Sequence, residues 1–165
     1  MRNPGVLLPG EVLEIFRRKT APAFEVALRL GAIIGGAGDD VCEILKRFSA
    51  ALGTAYQIRD DLCDFEGEGE PGDAVSARPS IVFALACEKT GGNERERVAA
   101  AWRGSLDPAG RREVIAALAA DERLREKANQ LLEHYKNEAI RSLAALQNAH
   151  LKSLLRRFVG KILKS

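Results

Sequence analysis

The residues best suited to chemistry form one acidic cluster, Asp60, Asp61 and Asp64, with Gln57 one turn before it. Residues three and four apart share a face of an α-helix, so the three carboxylates are predicted to point in roughly the same direction. Carboxylates placed in this way repel one another and destabilise a helix. A hard divalent cation would offset the repulsion, and Mg²⁺ commonly binds one or two carboxylates together with water and phosphate oxygens. The spacing therefore favours a magnesium site.

The alternative is a solvated acidic helix end followed by an acidic loop, which is what runs of like charge usually form. The stretch from Asp60 to Asp73 carries acidic side chains and no basic one, and it includes glycines and a proline. Two features favour the metal site. The residues from Ala50 to Ile58 are largely apolar, so the carboxylates lie on a helix rather than after it. Acidic groups late in a helix also oppose its dipole, which prefers a cation there.

Helices must position these groups, and the apolar periodicity predicts an all-α helical bundle. Ala, Leu, Arg and Glu are abundant, apolar residues recur at helical spacing, and the sequence shows no strand pattern. The predicted helices are, in chain order, 10–34, 39–65, 79–89, 93–102, 108–119, 121–149 and 150–163. We expect a loose leader at 1–9 and a mobile acidic loop at 66–77. The chain, residues 1–165, is expected to form a single all-helical domain.

Two residues inside the predicted helices have a local meaning. Pro22 is expected to kink the first helix about one turn earlier, directly after Lys19 and Thr20, which would free backbone groups there for a ligand. Alternatively, one helix ends at Thr20 and another begins at Pro22, since proline suits a first turn. Gly53 lowers the stability of the second helix and suggests that another helix approaches closely there.

Composition restricts the class of protein. The net charge of +2 predicts no nucleic-acid partner, and no apolar run approaches the length of a transmembrane segment or signal peptide. Cys42, Cys63 and Cys87 fit no metal-binding spacing, and we interpret them as reduced thiols of a cytoplasmic protein. His134 and His150 are isolated in the sequence and are expected to be ordinary surface or helix residues.

Four motifs occur in an order and spacing that resemble those of a known family. They are Lys19-Thr20, Gly53-Thr54-Ala55-Tyr56-Gln57, the pattern Tyr-Gln-Ile-x-Asp-Asp-x-x-Asp from Tyr56 to Asp64, and Asp73-Ala74-Val75-Ser76-Ala77-Arg78-Pro79-Ser80. The sequence resembles the trans-isoprenyl diphosphate synthases, the polyprenyl synthetase family, and its acidic cluster resembles their second aspartate-rich motif. By motif the resemblance covers about residues 11–90. The remainder matches as a helical pattern.

The resemblance implies a fold and a reaction. In that family two aspartate-rich helices face each other across a cavity, and Mg²⁺ ions between them hold an allylic diphosphate. Loss of the diphosphate gives an allylic cation, which the double bond of isopentenyl diphosphate attacks. The resemblance therefore implies a Mg²⁺-dependent prenyltransferase whose substrates are an allylic diphosphate and isopentenyl diphosphate, and whose site stabilises the charge of the leaving group.

The resemblance also assigns roles to the acidic cluster. Asp60 and Asp64 would hold the metal, and Asp61 would be a further ligand or would support the other two. Asp60 and Asp61 would then belong to the catalytic residues. Gln57 would be catalytic and substrate-binding, because it would orient a carboxylate or pack beside the cation.

The resemblance assigns cationic side chains to the binding of the diphosphate. Lys19 would contact its oxygens, and Thr20 would present a hydroxyl or a carbonyl near the allylic cation. Arg78 stands where the family has a lysine, and it keeps the charge but is planar and bidentate. Glu70 stands about where the family's flexible loop has a lysine, so this loop is acidic here.

The sequence contains no first aspartate-rich motif, and it begins about where the second half of the family's fold begins. We interpret it as the C-terminal half of an isoprenoid-synthase-like bundle. The chain is a fragment of a longer protein, a natural half completed by another chain, or a degenerate half with a binding or structural role. The alternatives to an enzyme are a non-catalytic partner that regulates or scaffolds a synthase, and a plain bundle that binds Mg²⁺ and diphosphate. Apolar residues on several sides of the first helix predict a homodimer, or a heteromer with a chain that carries the first motif. Alone, the chain is expected to turn over substrate negligibly.

Overall fold

The computed structural model describes residues 6–66 and 78–164, and these residues form helices joined by short connections. The α-helices are α1 Pro9–Ile34, α2 Asp39–Glu66, α3 Ile81–Lys89, α4 Gly92–Arg103, α5 Pro108–Ala120, α6 Glu122–Ser142 and α7 Ala149–Ile162, with a 3₁₀ turn at Leu143–Ala145. The predicted all-α class is confirmed. Of the predicted leader, 1–5 lie outside the described residues, and so do 67–77 of the predicted acidic loop, including Glu70 and Asp73.

Two predicted helix boundaries are wrong. The helix predicted to run unbroken from 121 to 149 ends at Ser142, and α7 begins at Ala149. The break lies where Asn148 accepts a hydrogen bond from the amide of Leu151 and so caps α7, a role for which asparagine is well suited. The helix predicted from Pro79 begins at Ile81 instead, because Ser80 is the capping residue.

The first helix passes through its proline without ending. Since α1 is continuous from Pro9 to Ile34 with Pro22 inside it, the alternative of two helices meeting at Pro22 is wrong. Proline has no amide hydrogen, so the carbonyl four residues earlier, that of Arg18, receives no helical hydrogen bond from Pro22. The helix ends in a left-handed glycine, Gly36 at φ 74°, with the amide of Ala37 donating to the carbonyl of Ala32 at 2.9 Å.

The described residues divide into two compact units. Of the described residues, unit 1 comprises 6–15, 60–66 and 78–130, and unit 2 comprises 16–59 and 131–164. In unit 1, α3 is buried from Ile81 to Cys87 and packs against α4 and α5. A helix that is apolar all round is typical of a protein core. Unit 1 is therefore built around α3.

Unit 2 contains a close approach of α1 to α2. A methyl group added to Gly53 would lie 2.7 Å from the backbone nitrogen of Ala21, which is shorter than van der Waals contact. The predicted close approach at Gly53 is thus confirmed, and its neighbour is the residue that follows Thr20. Nearby, Phe24 contacts the rings of Tyr56 and Phe158 edge to face, each at 6.3 Å between centroids.

Arg59 fixes the end of α7 within unit 2. Its guanidinium donates hydrogen bonds to the carbonyl oxygens of Ile162 and, at 3.3 Å, of Lys164. The same guanidinium lies 5.4 Å from the ring centroid of Tyr56. Carbonyls at the end of a helix have no helical partner, so a cationic donor can form hydrogen bonds with them. Its positive charge also interacts favourably with the negative end of the helix dipole.

Three smaller expectations concern exposure and length. His134 and His150 are exposed, as predicted. Cys42, Cys63 and Cys87 are free, and Cys42 and Cys87 are buried. Within the described ranges, none of the helices has the length and apolar character needed to cross a bilayer.

Candidate functional site

The three aspartates lie on the last turns of α2, but they do not share one face. Asp60 and Asp64 are half-buried, whereas only 4% of Asp61 is exposed. Successive helix residues are about 100° apart, so Asp61 is turned toward the buried side with Leu62 and Phe65. The expectation that all three carboxylates point in the same direction is therefore wrong for Asp61.

One oxygen of the Asp61 carboxylate binds the start of α3. Its Oδ2 accepts hydrogen bonds from Ser80 Oγ at 2.9 Å, from the amide of Ile81 at 2.7 Å and from the amide of Val82 at 3.2 Å. Ser80 Oγ in turn accepts from the amide of Phe83 at 3.3 Å. The first amides of a helix have no helical partner, so Asp61 and Ser80 together cap α3.

Burial of this carboxylate changes its acidity. Desolvation raises the pKa of Asp61 to about 6 from its ordinary value of 3.8, because an ionised group loses the water that stabilises it. The hydrogen bonds from Val82, Ser80 and Ile81 lower the pKa, but less than burial raises it. Asp61 thus caps α3, but its burial disfavours the ionised form of its carboxyl group.

Asp64 has a different partner. Arg78, the first described residue after the acidic loop, donates from its guanidinium to Asp64 Oδ2 and forms an ion pair with it. Both side chains are more than a third exposed. Asp60 has no hydrogen-bond or ion-pair partner within the part of the chain that the structure describes. Among the described residues, the half-exposed carboxylate of Asp60 is therefore free, and that of Asp64, one turn later, is neutralised by Arg78.

The main chain of Arg78 is held by Trp102 of α4. The indole Nε1 donates to the carbonyl oxygen of Arg78 at 2.7 Å. The indole ring stacks on Phe83 at 5.8 Å and 7°, and Phe83 meets Phe65 edge to face at 5.5 Å. Trp102 is completely buried. A buried aromatic stack thus connects the end of α2 with the residue that carries the guanidinium.

The other predicted site residues belong to unit 2. Lys19 is exposed, Thr20 is half-buried and Gln57 is buried with 8% of its surface exposed. Lys19 and Thr20 lie on the turn of α1 before Pro22, and the contact between Gly53 and Ala21 fixes this turn against α2. Unit 2 therefore holds the cationic Lys19 on a rigid helical support.

The donor set at the end of α2 fits a magnesium ion with few protein ligands. Across 6–66 and 78–164, no three His, Cys, Asp or Glu side chains are grouped so that they could hold a metal ion together. Asp60 and Asp64 remain as two half-exposed carboxylates one turn apart, since Asp61 is committed to α3. Two carboxylates with the remaining positions left to water and phosphate are what Mg²⁺ commonly takes. The residues therefore fit the ion as a pair rather than as a trio.

Sequence reasoning missed Ser80 and Trp102 as partners of the site. Ser80 had a weak signal, because serine commonly caps a helix and this one precedes the apolar run from Ile81. Trp102 gave no usable signal, since its partner Arg78 lies 24 residues away in the sequence. The burial of Asp61 did have one: Ile58, Asp61, Leu62 and Phe65 fall on the same side of a helix.

Comparisons with known proteins bear on the family and the fold of the chain. The family model described as "Polyprenyl synthetase" matches residues 9–118. The nonaprenyl diphosphate synthase of Mycobacterium tuberculosis is 30% identical over 142 residues, which make up 82% of this chain and 42% of that protein. The heterodimeric geranylgeranyl pyrophosphate synthase large subunit 1 of Arabidopsis thaliana is 32% identical over 83 residues, 50% of this chain and 22% of that protein.

A solved structure matches over almost the whole chain. The crystal structure of a decaprenyl diphosphate synthase from Rhodobacter capsulatus superimposes with a TM-score of 0.84 and 26% identity, covering 98% of this chain and 52% of that one. The chain thus spans about half the length of this structure and less than half of the two curated relatives.

Proposed function

Because this chain belongs to the polyprenyl synthetase family, we propose that it is the half of a prenyl diphosphate synthase that carries the second aspartate-rich motif. The observation that carries the proposal is the difference in environment among the three aspartates. Asp61 is buried and caps α3, while Asp60 and Asp64 remain half-exposed at the end of α2. The family match, which spans 9–118, includes all three.

The proposed reaction is the condensation of an allylic diphosphate with isopentenyl diphosphate. Asp60 and Asp64 would hold Mg²⁺, which when bound neutralises negative charge on the departing diphosphate. Arg78 adds positive charge for the diphosphate oxygens, and a positive charge of this kind stabilises a leaving group as it departs. The family resemblance assigns the same role to Lys19. Arg78 presents a planar fork suited to two oxygens at once.

Thr20 and Gln57 are proposed to act near the allylic cation. Thr20 is half-buried and lies two residues before Pro22, so its hydroxyl belongs to the turn in which proline interrupts the helical hydrogen bonding. Gln57 is one turn before Asp60 on α2 and carries no charge, so it orients polar neighbours without repelling a cation.

The remainder of a synthase is proposed to come from a segment that carries the first aspartate-rich motif, in the same polypeptide or in a second chain. An exposed apolar face of α1 supports this proposal. Val26, Leu30, Ile33 and Ile34 are 65, 55, 58 and 79% exposed. They recur at helical spacing along one face of α1. We call them the α1 apolar face, and an exposed apolar surface of this kind marks an interface.

Stabilisation by magnesium with pyrophosphate tests the proposed site. We expect the melting temperature to rise by roughly 5 to 10 °C when Mg²⁺ and pyrophosphate are present together at about 100 times their dissociation constant. The physical reason is that ligands that bind only the folded state stabilise it, and that the cation relieves the repulsion between Asp60 and Asp64. Differential scanning fluorimetry measures the shift.

The control for this measurement is an aspartate without a predicted role. The double variant Asp60→Ala, Asp64→Ala should lose the shift, whereas Asp107→Ala should keep it, since Asp107 is exposed and makes no side-chain cap at α5. An equal shift in the double variant would remove the metal site from this chain. A shift with Mg²⁺ alone that pyrophosphate does not increase would leave a metal site but contradict the diphosphate.

Association through the α1 apolar face is the second expectation. The protein should form a homodimer, or a heteromer with a chain that carries the first motif, at roughly tens of micromolar. Leu30→Glu should abolish association, because burying an unpaired carboxylate in an apolar interface is strongly unfavourable. Ala116→Glu, at an exposed position on α5, should not. Light scattering that finds wild-type monomers, with or without such a chain, would contradict the proposed interface.

A further inference from the structure

Trp102 is joined to a candidate site residue although it lies outside every motif of the sequence. It is the single tryptophan of the chain, it is fully buried, and it stacks on Phe83. Burial and stacking alone would explain an aromatic residue at this position. The indole N–H, however, donates to the carbonyl of Arg78 at 2.7 Å. This hydrogen bond is the part of Trp102 that its role in the core does not require.

The segment around Arg78 is constrained at several points. The proline that follows restricts the backbone of Arg78 toward extended conformations. Two residues later, Ser80 donates to Asp61 Oδ2 at 2.9 Å and caps α3. The carbonyl of Arg78 is tied to Trp102, and only the long side chain of Arg78 retains freedom. Its guanidinium is paired with Asp64 at a half-exposed position.

The pairing of Arg78 with Asp64 concerns the same carboxylate that we propose as a metal ligand. A half-exposed ion pair contributes little net stability, because water solvates both groups when they separate. The guanidinium can therefore leave Asp64 at small cost when a cation takes the carboxylate. If its backbone stays fixed, rotation of the side chain is enough to carry the guanidinium to another anion.

We propose that Trp102 is a positioning residue, which holds the main chain of Arg78 so that its guanidinium can exchange between Asp64 and the diphosphate. This inference rests on the proposed function, because it needs a diphosphate at the end of α2. A fixed backbone removes conformational entropy that binding would otherwise have to offset, so the effect is one of pre-organisation. Trp102 acts through Arg78 and has no contact with the diphosphate itself.

The test is a double-mutant cycle on pyrophosphate binding in the presence of Mg²⁺, measured by isothermal titration calorimetry. Trp102→Phe keeps the stacking on Phe83 and removes the N–H donor. It should weaken pyrophosphate binding about 3- to 10-fold, the amount that one hydrogen bond contributes. Arg78→Gln should weaken binding more. In the Arg78→Gln background, Trp102→Phe should have no further effect, because the residue on which it acts is gone.

A second variant separates the hydrogen bond from packing. Since the chain has one tryptophan, biosynthetic replacement with an isosteric benzothienyl analogue removes the N–H of Trp102 alone and preserves the volume of the buried ring. This protein should show the same loss of affinity as Trp102→Phe. A merely structural role would lower the melting temperature of the variants and leave the affinity of the folded protein unchanged.

The outcomes distinguish the inference from the proposed function. Wild-type protein that binds no pyrophosphate with Mg²⁺ would overturn both. Tight wild-type binding that is unchanged in the benzothienyl protein would overturn the role of Trp102 and leave the proposed function standing. A loss that is equally large with and without Arg78 would also overturn it, because Trp102 would then act by another route.

Discussion

Replacing Asp60 with alanine is expected to lower the condensation rate of the completed enzyme by roughly a thousandfold or more. Of the three aspartates, Asp60 alone is half-exposed and has no partner among the described residues. Its loss removes a proposed metal ligand without removing a contact that the fold uses. The completed enzyme is this chain combined with a segment that carries the first aspartate-rich motif, in cis or as a second chain. Incorporation of radiolabelled isopentenyl diphosphate into hydrophobic product measures the rate.

Two comparisons make the result specific. Asp107→Ala changes an exposed carboxylate that directly precedes α5 and should leave the rate nearly unchanged. The isolated chain provides the baseline and should remain at background, because one set of carboxylates and two cations cannot stabilise a departing diphosphate from both sides. Robust turnover by the isolated chain would contradict the need for a completing segment. An inactive completed pair would instead favour a non-catalytic partner of a synthase.

The fold was largely predictable because apolar periodicity decides where helices bury a face. The positions of α1 to α5 follow the sequence to within a few residues, and Gly53 correctly indicated a close helix contact. The wrong predictions concern helix boundaries, where a capping residue ends or starts a helix although the apolar periodicity continues. Leu143 and Leu146 continue the apolar pattern of α6, yet Asn148 starts a new helix, and periodicity cannot register such a break.

The candidate site was predictable in its residue types but not in its connections. Asp60, Asp61 and Asp64 stand out as a charged cluster, yet their spacing alone does not say which carboxylate is committed to another helix. That decision depends on Ser80 and α3, which the chain reaches only after the acidic loop. The tie between Trp102 and Arg78 depends on how α4 packs against α3, and this is a tertiary contact without a local signal.

Asp61 gives the largest expected effect on stability. Asp61→Ala should lower the free energy of unfolding by about 3–5 kcal/mol, because removing one partner of a buried, hydrogen-bonded network leaves the others unpaired. The donors concerned are the buried hydroxyl of Ser80 and the amides of Ile81 and Val82. Urea denaturation with EDTA present, to exclude metal ions, measures the change.

Asp61→Asn should preserve or raise the free energy of unfolding, and the size of its effect should depend on pH. The pKa of Asp61 is raised to about 6 in the folded state, so the protonated form is the one that the fold favours. The part of the stability that depends on protonation of Asp61 is therefore complete below the unfolded pKa of 3.8 and is lost as the pH rises through about 6, whereas its hydrogen bonds to α3 remain. At pH 8 the ionised group is less favourable than a neutral one by about 3 kcal/mol. Asparagine is neutral, and its Oδ1 can accept the same three hydrogen bonds.

The expected order of stability at pH 8 is Asp61→Asn at least equal to wild type, and wild type above Asp61→Ala. Asp121→Asn is the matched control, since Asp121 also caps a helix, accepting from the amides of Arg123 and Leu124. There the hydrogen bond from Lys89 lowers the pKa of the carboxyl, so its contribution is present above the unfolded pKa and lost on acidification. Asp121→Asn should destabilise the protein at pH 8. If Asp61→Asn destabilised it as much as Asp61→Ala at every pH, Asp61 would act as a charged group, and its assignment as a buried helix cap distinct from the metal ligands would be wrong.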